Sequence, residues 1–138
     1  MQLNPYLEFN GQCEEAFRFY ERCLGGKIVA MFTHADTPME GQTPPEWRNK
    51  IMHARLIVGD KVLMGSDMPK EHSDGAKGFS ISVGVDDPQE AEKVFHALAE
   101  GGKVRMPIAE TFWAHRFGML EDRFGIPWMV NCEKAVQA

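Results

Sequence analysis

Scarcities narrow this chain first. Cysteine is sparse: Cys13, Cys23 and Cys132 are odd in number and lack CxxC spacing. That argues against a disulfide framework and for free thiols in a reducing cytoplasm. An excess of positive charge is also missing. Fifteen Lys and Arg stand against twenty Asp and Glu, a net charge of −5. Nucleic acid demands a basic face, so it is not expected as a partner. No apolar run approaches the length of a membrane span, so no membrane association is expected. The opening stretch MQLNPYLEF lacks a basic region followed by a long apolar segment, so no secretory signal is expected either. What remains is ordinary: 138 residues, 43% hydrophobic and 25% charged, enough for one soluble domain with a sizeable core or for two half-domains.

The positive content begins with a repeat. EEAFRFYERCLGGKI (14–28) and PQEAEKVFHALAEGGKV (88–104) both carry Glu-Ala early, an apolar stripe, and then Gly-Gly-Lys before a β-branched residue. Cys13, Phe17, Tyr20 and Leu24 share one face of the first segment; Ala91, Val94, Phe95 and Leu98 share one face of the second. This spacing predicts helices. Gly25-Gly26 and Gly101-Gly102 supply the left-handed residue that ends each. Asp87 is a candidate N-cap, Pro88 suits the first helical position, and Glu90 could complete a capping box.

Strand-like stretches flank both helices: 3–9, 27–34, 50–58 and 61–66 around the first, and 78–85, 103–108, 114–120 and 126–132 around the second. Each half reads strand, helix, three strands. Such duplicated units must pack together to bury their faces, so the chain is read as one domain with modules at about 1–67 and 77–138. The stretch 34–49, rich in Pro, Gly and Thr, is long for a loop and is either a functional lid or disordered; the polar stretch 66–77 joins the halves.

With NPYLEFNGQCEEAFRFY, KIMHARLIVGD, GFSISVGVDD, TFWAHRFG and DRFGIPWMVN, the chain resembles the vicinal oxygen chelate superfamily of glyoxalases, bleomycin resistance proteins and extradiol dioxygenases. Within it, the chain resembles the PhnB-like group. The resemblance covers nearly the whole chain, and WAHRFG followed by DRFGIPW is its most specific part. It implies an α+β fold: two βαβββ modules forming curved mixed sheets around a cavity, helices outside, usually in a homodimer. Some members carry a demethylubiquinone methyltransferase label, but no GxGxxG follows a strand here, and the Gly pairs end helices instead.

The enzymes of that superfamily usually hold a divalent metal through His, Gln or Glu on the first and last strands of each half. Strand parity puts those positions on Asn4 (or Pro5), Met64, Ser80 and Met129. None is a strong ligand for a hard or borderline cation, so neither a metal nor another cofactor is expected.

Other residues could still act. Leu7 and Phe9 suit the helix side of the first strand, which leaves Tyr6 and Glu8 for the cavity. Met52, Ala54, Leu56 and Val58 form one side of KIMHARLIV, and His53, Arg55 and Ile57 the other. Imidazole can move a proton near neutral pH, and arginine can clamp a carboxylate or phosphonate with paired donors. Their structural alternative is a polar seam, or pairing with Glu8 or Asp67. Trp113 and His115 alternate onto one face if the strand has begun there, and Trp offers a flat wall with one N–H donor. Otherwise Trp113 and Trp128 are core. Gly118 suits a bulge and Gly125 a tight turn. Cys13, near a helix start, reads as a packing residue.

The leading expectation is a metal-independent small-molecule-binding protein whose cavity is lined by Tyr6, Glu8, His53, Arg55, Trp113, His115 and Met129, with no catalytic residue assigned. Its ligand would be part apolar and part anionic or polar. The alternative is a metal-dependent lyase, isomerase or dioxygenase using Glu8 and His53.

Overall fold

The computed structural model of the protein describes residues 1–37, 44–69 and 75–134. Strands and helices follow in the order β1 (Tyr6–Phe9), α1 (Cys13–Leu24), β2 (Lys27–Thr33), β3 (Ile51–Val58), β4 (Lys61–Asp67), β5 (Ile81–Gly84), α2 (Pro88–Ala99), β6 (Lys103–Ala109), β7 (Ala114–Glu121) and β8 (Pro127–Glu133). The strand–helix–three-strand reading therefore holds in both halves. The chain divides into two compact units, Met1–Gly75 and Ala76–Ala138. Each contains one four-stranded mixed sheet, ordered β1-β4-β3-β2 in the first and β5-β8-β7-β6 in the second. In each, the strand before the helix lies parallel to the last strand, and the remaining pairs are antiparallel.

Of the loop expectations only parts are open to description. His34–Asp36 and Pro45–Trp47 form single turns of tight helix, and β4 runs on to Asp67. Residues 38–43 and 70–74 lie outside the described residues.

In the first unit α1 buries Cys13, Ala16, Phe17, Phe19 and Tyr20. Leu24 is only half-buried because the stripe drifts toward Phe19 as the helix proceeds. Gly25, at φ 68°, closes the helix in the left-handed conformation that a Cβ resists. The Phe17 ring lies so close over β4 that a Cβ on Gly65 would stand 2.8 Å from it. Leu7, Phe9, Ala54 and Leu56 complete this core. Each fully buried large apolar side chain contributes about 1.5–3 kcal/mol through its removal from water. The buried carboxylate of Asp67 ties the core together, accepting from the Cys13 N–H at 2.9 Å and the Ile51 N–H at 2.8 Å. It joins the start of α1 to the start of β3, and among the described residues it makes no pair with Arg55.

In the second unit α2 buries Ala91, Val94, Phe95 and Leu98, the expected stripe. Pro88 occupies the first helical position, and Asp87 caps by accepting from the Gln89 N–H at 3.1 Å, without a reciprocal bond from Glu90. Trp128, Val130 and Cys132 of β8 meet the helix side and are fully buried. Gly125, at φ 88°, turns β7 into β8 as expected. Gly118 pairs in register with Val130 on one side, and on the other it lies opposite a register shift in β6, between Met106 and Ala109. Its missing side chain makes room for Phe95, whose ring would stand 2.6 Å from a Cβ there. A further register shift falls between Ala114 and Arg116 in the pairing with β8.

Candidate ligand-binding site

Because α1 covers one face of the first sheet, alternation sends Tyr6 and Glu8, His53 and Arg55 to the opposite, open face. Cross-strand register then brings them together. Tyr6 lies beside Met64 on β4, and Met64 lies beside Arg55 on β3. Glu8 sits opposite Ser66, and His53 opposite Phe32. The His53 ring stacks between two aromatic neighbours, Tyr6 at 5.9 Å and Phe32 at 6.5 Å between centroids. The Tyr6 hydroxyl also stands 3.4 Å from His53 Nδ1, at the long end of a hydrogen bond whose direction depends on the imidazole tautomer. Arg55 is half-buried. Among the described residues neither Arg55 nor Glu8 has an ion-pair or hydrogen-bond partner. A guanidinium on a sheet face with its donors unspent is equipped to receive an anion.

The other three expected residues belong to the second unit. Met129 is half-buried on the open face, between Ser82 and Met119. Trp113 precedes β7 and is 41% exposed; its ring meets Phe112 at 4.9 Å and Phe117 at 5.3 Å. His115 does not alternate with Trp113 along a strand. It occupies the bulge at the start of β7, exposed, while Arg116 turns to the helix side and donates to Glu92 at 3.1 Å. Trp128 is core, 1% exposed, with its indole N–H donated to Asp122 at 2.8 Å.

Three open-face residues escaped the sequence reading. Phe32 faces His53 only through a register hidden by the long segment between β2 and β3. Phe117 carries the Trp113 ring, and its parity depends on where the bulge falls. Asn131, opposite Phe117, has a buried Oδ1 with no hydrogen-bond partner among the described residues, while its Nδ2 donates to Glu133 at 3.2 Å. Cys13 packs as expected: burial, then the negative charges of Asp67 and Glu14, push its thiol far up from its ordinary value of 9.0.

The family's metal positions can be tested against this geometry. Asn4 and Ser80 fall just before β1 and β5, and the residues in register with Met64 and Met129 are Tyr6 and Ser82. Amide, thioether, phenol and hydroxyl groups do not make the imidazole and carboxylate set that holds a divalent ion. Among the described residues no three His, Cys, Asp or Glu side chains converge. The donor set does not fit the usual ion.

A βαβββ module used twice, each with a helix on one sheet face and aromatic and polar side chains on the other, defines the vicinal oxygen chelate class of protein. A sequence profile described as the Glyoxalase/Bleomycin resistance protein/Dioxygenase superfamily matches residues 2–130, and the chain belongs to that superfamily. It is 34% identical over 143 residues to Protein YjdN of Escherichia coli (strain K12), covering 97% of each. It is 53% identical to protein PA1353 of Pseudomonas aeruginosa, whose crystal structure matches with a TM-score of 0.89 over 98% of this chain and 99% of that one. A PhnB protein from Bacillus cereus shares the fold, with a TM-score of 0.80 at 24% identity, covering 96% of this chain and 99% of that one.

Proposed function

We propose that this protein binds a small molecule, part apolar and part anionic, without the superfamily's usual metal. The observation that carries the proposal is Arg55: half-buried, without a carboxylate partner among the described residues, and next to the stacked rings of Tyr6, His53 and Phe32. The guanidinium takes the anionic end and the rings take a flat apolar body. In the second unit, taken by itself, Trp113, His115 and Met129 are the candidate ligand residues, with aromatic and apolar surface to offer. The protein is taken to be a cytoplasmic homodimer, in keeping with its three free thiols.

The test is a thermal-shift screen of small carboxylates, phosphates and phosphonates, each beside its uncharged analogue, followed by calorimetry on the hits. An anion should bind, and Arg55→Ala should weaken it by about tenfold to a hundredfold while the melting temperature of the free protein stays close to wild type. Equal binding of charged and uncharged analogues would remove Arg55 from its role.

Divalent-ion titration separates this reading from a metal-dependent enzyme built on Glu8 and His53, which share the same open face. No stoichiometric binding is expected. Tight binding lost in His53→Ala would install the enzyme reading instead.

A further inference from the structure

The second unit holds an open pocket of about 310 Å³, at the end of its sheet where β7 turns into β8, away from Trp113. That volume is at the small end of the range for small-molecule sites, roughly 300–1,000 Å³. Its apolar wall is Phe79, 47% exposed, facing Pro127. Its polar wall is Arg105 ion-paired with Glu121, and Lys77 stands at the rim. Gly125 adds no side chain to the floor. Glu121 is occupied by Arg105, so the uncompensated charge of the pocket is positive: among the described residues Lys77 has no partner. Arg105 has five donors, of which Glu121 takes one through Nη2.

The repeat provides an internal control. Arg105 is the third residue after the second Gly-Gly pair, and the third after the first pair is Val29; Glu121 lies opposite Lys103, and the residue opposite Lys27 is Ile57. The same module folds with a valine and an isoleucine where this one carries the ion pair. The charged wall is therefore not demanded by the βαβββ scaffold, and an exposed ion pair of this kind stabilises a fold by little.

We propose that this pocket is a second ligand site, which takes a small organic carboxylate bearing a ring or short apolar chain. The apolar body lies on Phe79 and Pro127, and the carboxylate bridges the Lys77 ammonium and the free donors of Arg105. The site shares no residue with the Arg55 face, so either can fail alone.

Amide NMR of the full chain titrated with phenylacetate, and in parallel with phenylacetamide, tests it. Phenylacetate should shift Gly78, Phe79 and Gly125 saturably, and phenylacetamide should bind about tenfold more weakly or not at all. Lys77→Gln and Phe79→Ala, both at exposed positions, should each weaken phenylacetate several-fold while Arg55→Ala leaves these shifts unchanged. Absence of saturable shifts at these amides would overturn the proposal. So would equal binding of the neutral amide, insensitivity to both pocket substitutions, or shifts confined to Tyr6 and His53.

Discussion

Asp122 receives three N–H donors in the turn between β7 and β8: Phe124 at 2.8 Å, Ile126 at 3.0 Å and the Trp128 indole at 2.8 Å, while remaining 3% exposed. Replacing it with Ala leaves buried donors without acceptors. Asp122→Ala should therefore cost about 2–4 kcal/mol of stability in urea titration, with Asp122→Asn recovering part of that loss. Cys13 gives a second expectation. Its folded thiol ionises well above the ordinary 9.0, so above that pH the unfolded chain loses a proton that the folded one keeps. Stability is then lost as pH rises, by up to about 1.4 kcal/mol per unit. Cys13→Ala removes this component, so urea midpoints measured from about pH 8 to about pH 10.5 should fall less steeply in the variant. At this scale legibility was uneven. His53 and Arg55 could be assigned to the open face because they alternate with Ala54 and Leu56, although the expected apolar side fails at Met52, which is exposed while Ile51 is buried. Trp113 and Trp128 could not be separated: one is half outside the sheet and the other is core, and the difference lies in Asp122 and the bulge.

The helices were readable nearly residue by residue, because an apolar stripe of period 3.6 with terminal glycines has few other solutions. Strands were readable in place but less so in length: β1 begins at Tyr6 rather than at residue 3, and β5 at Ile81 rather than at 78. Gly118 shows that one glycine can serve two needs. It lies opposite a register shift in β6, as the sequence suggests, and the ring of Phe95, packed across the sheet from a helix some twenty residues earlier, leaves no room for a Cβ. Gly118→Ala should cost on the order of 1–3 kcal/mol by overpacking. Gly84→Ala, where an added Cβ meets nothing within 4 Å, should leave the melting temperature unchanged. Equal effects at both sites would show that backbone entropy rather than the Phe95 contact governs Gly118.

For the whole molecule, the two units raise the question of independence. A chain of the length of residues 1–75 buries only about 60% of the surface it exposes when unfolded. Expressed alone, it should show no cooperative thermal transition by circular dichroism, whereas the full chain unfolds in one. A sharp transition in the fragment would make the units separate domains. The expected dimer is checked by light scattering on the full chain, where a monomer mass at micromolar concentration would remove it.

The sequence by itself determined the duplicated βαβββ plan, the superfamily, and the helix stripes and their ends. These are local properties, written in periodicity and residue type. Only the tertiary structure decided that Phe32 and Tyr6 flank His53, that Asp67 is spent on backbone N–H groups rather than on Arg55, that Trp128 is core, and that Arg105 meets Glu121 beside Phe79. Each of these depends on register between strands far apart in the chain, and register is set by packing across the sheets rather than by any single stretch of residues.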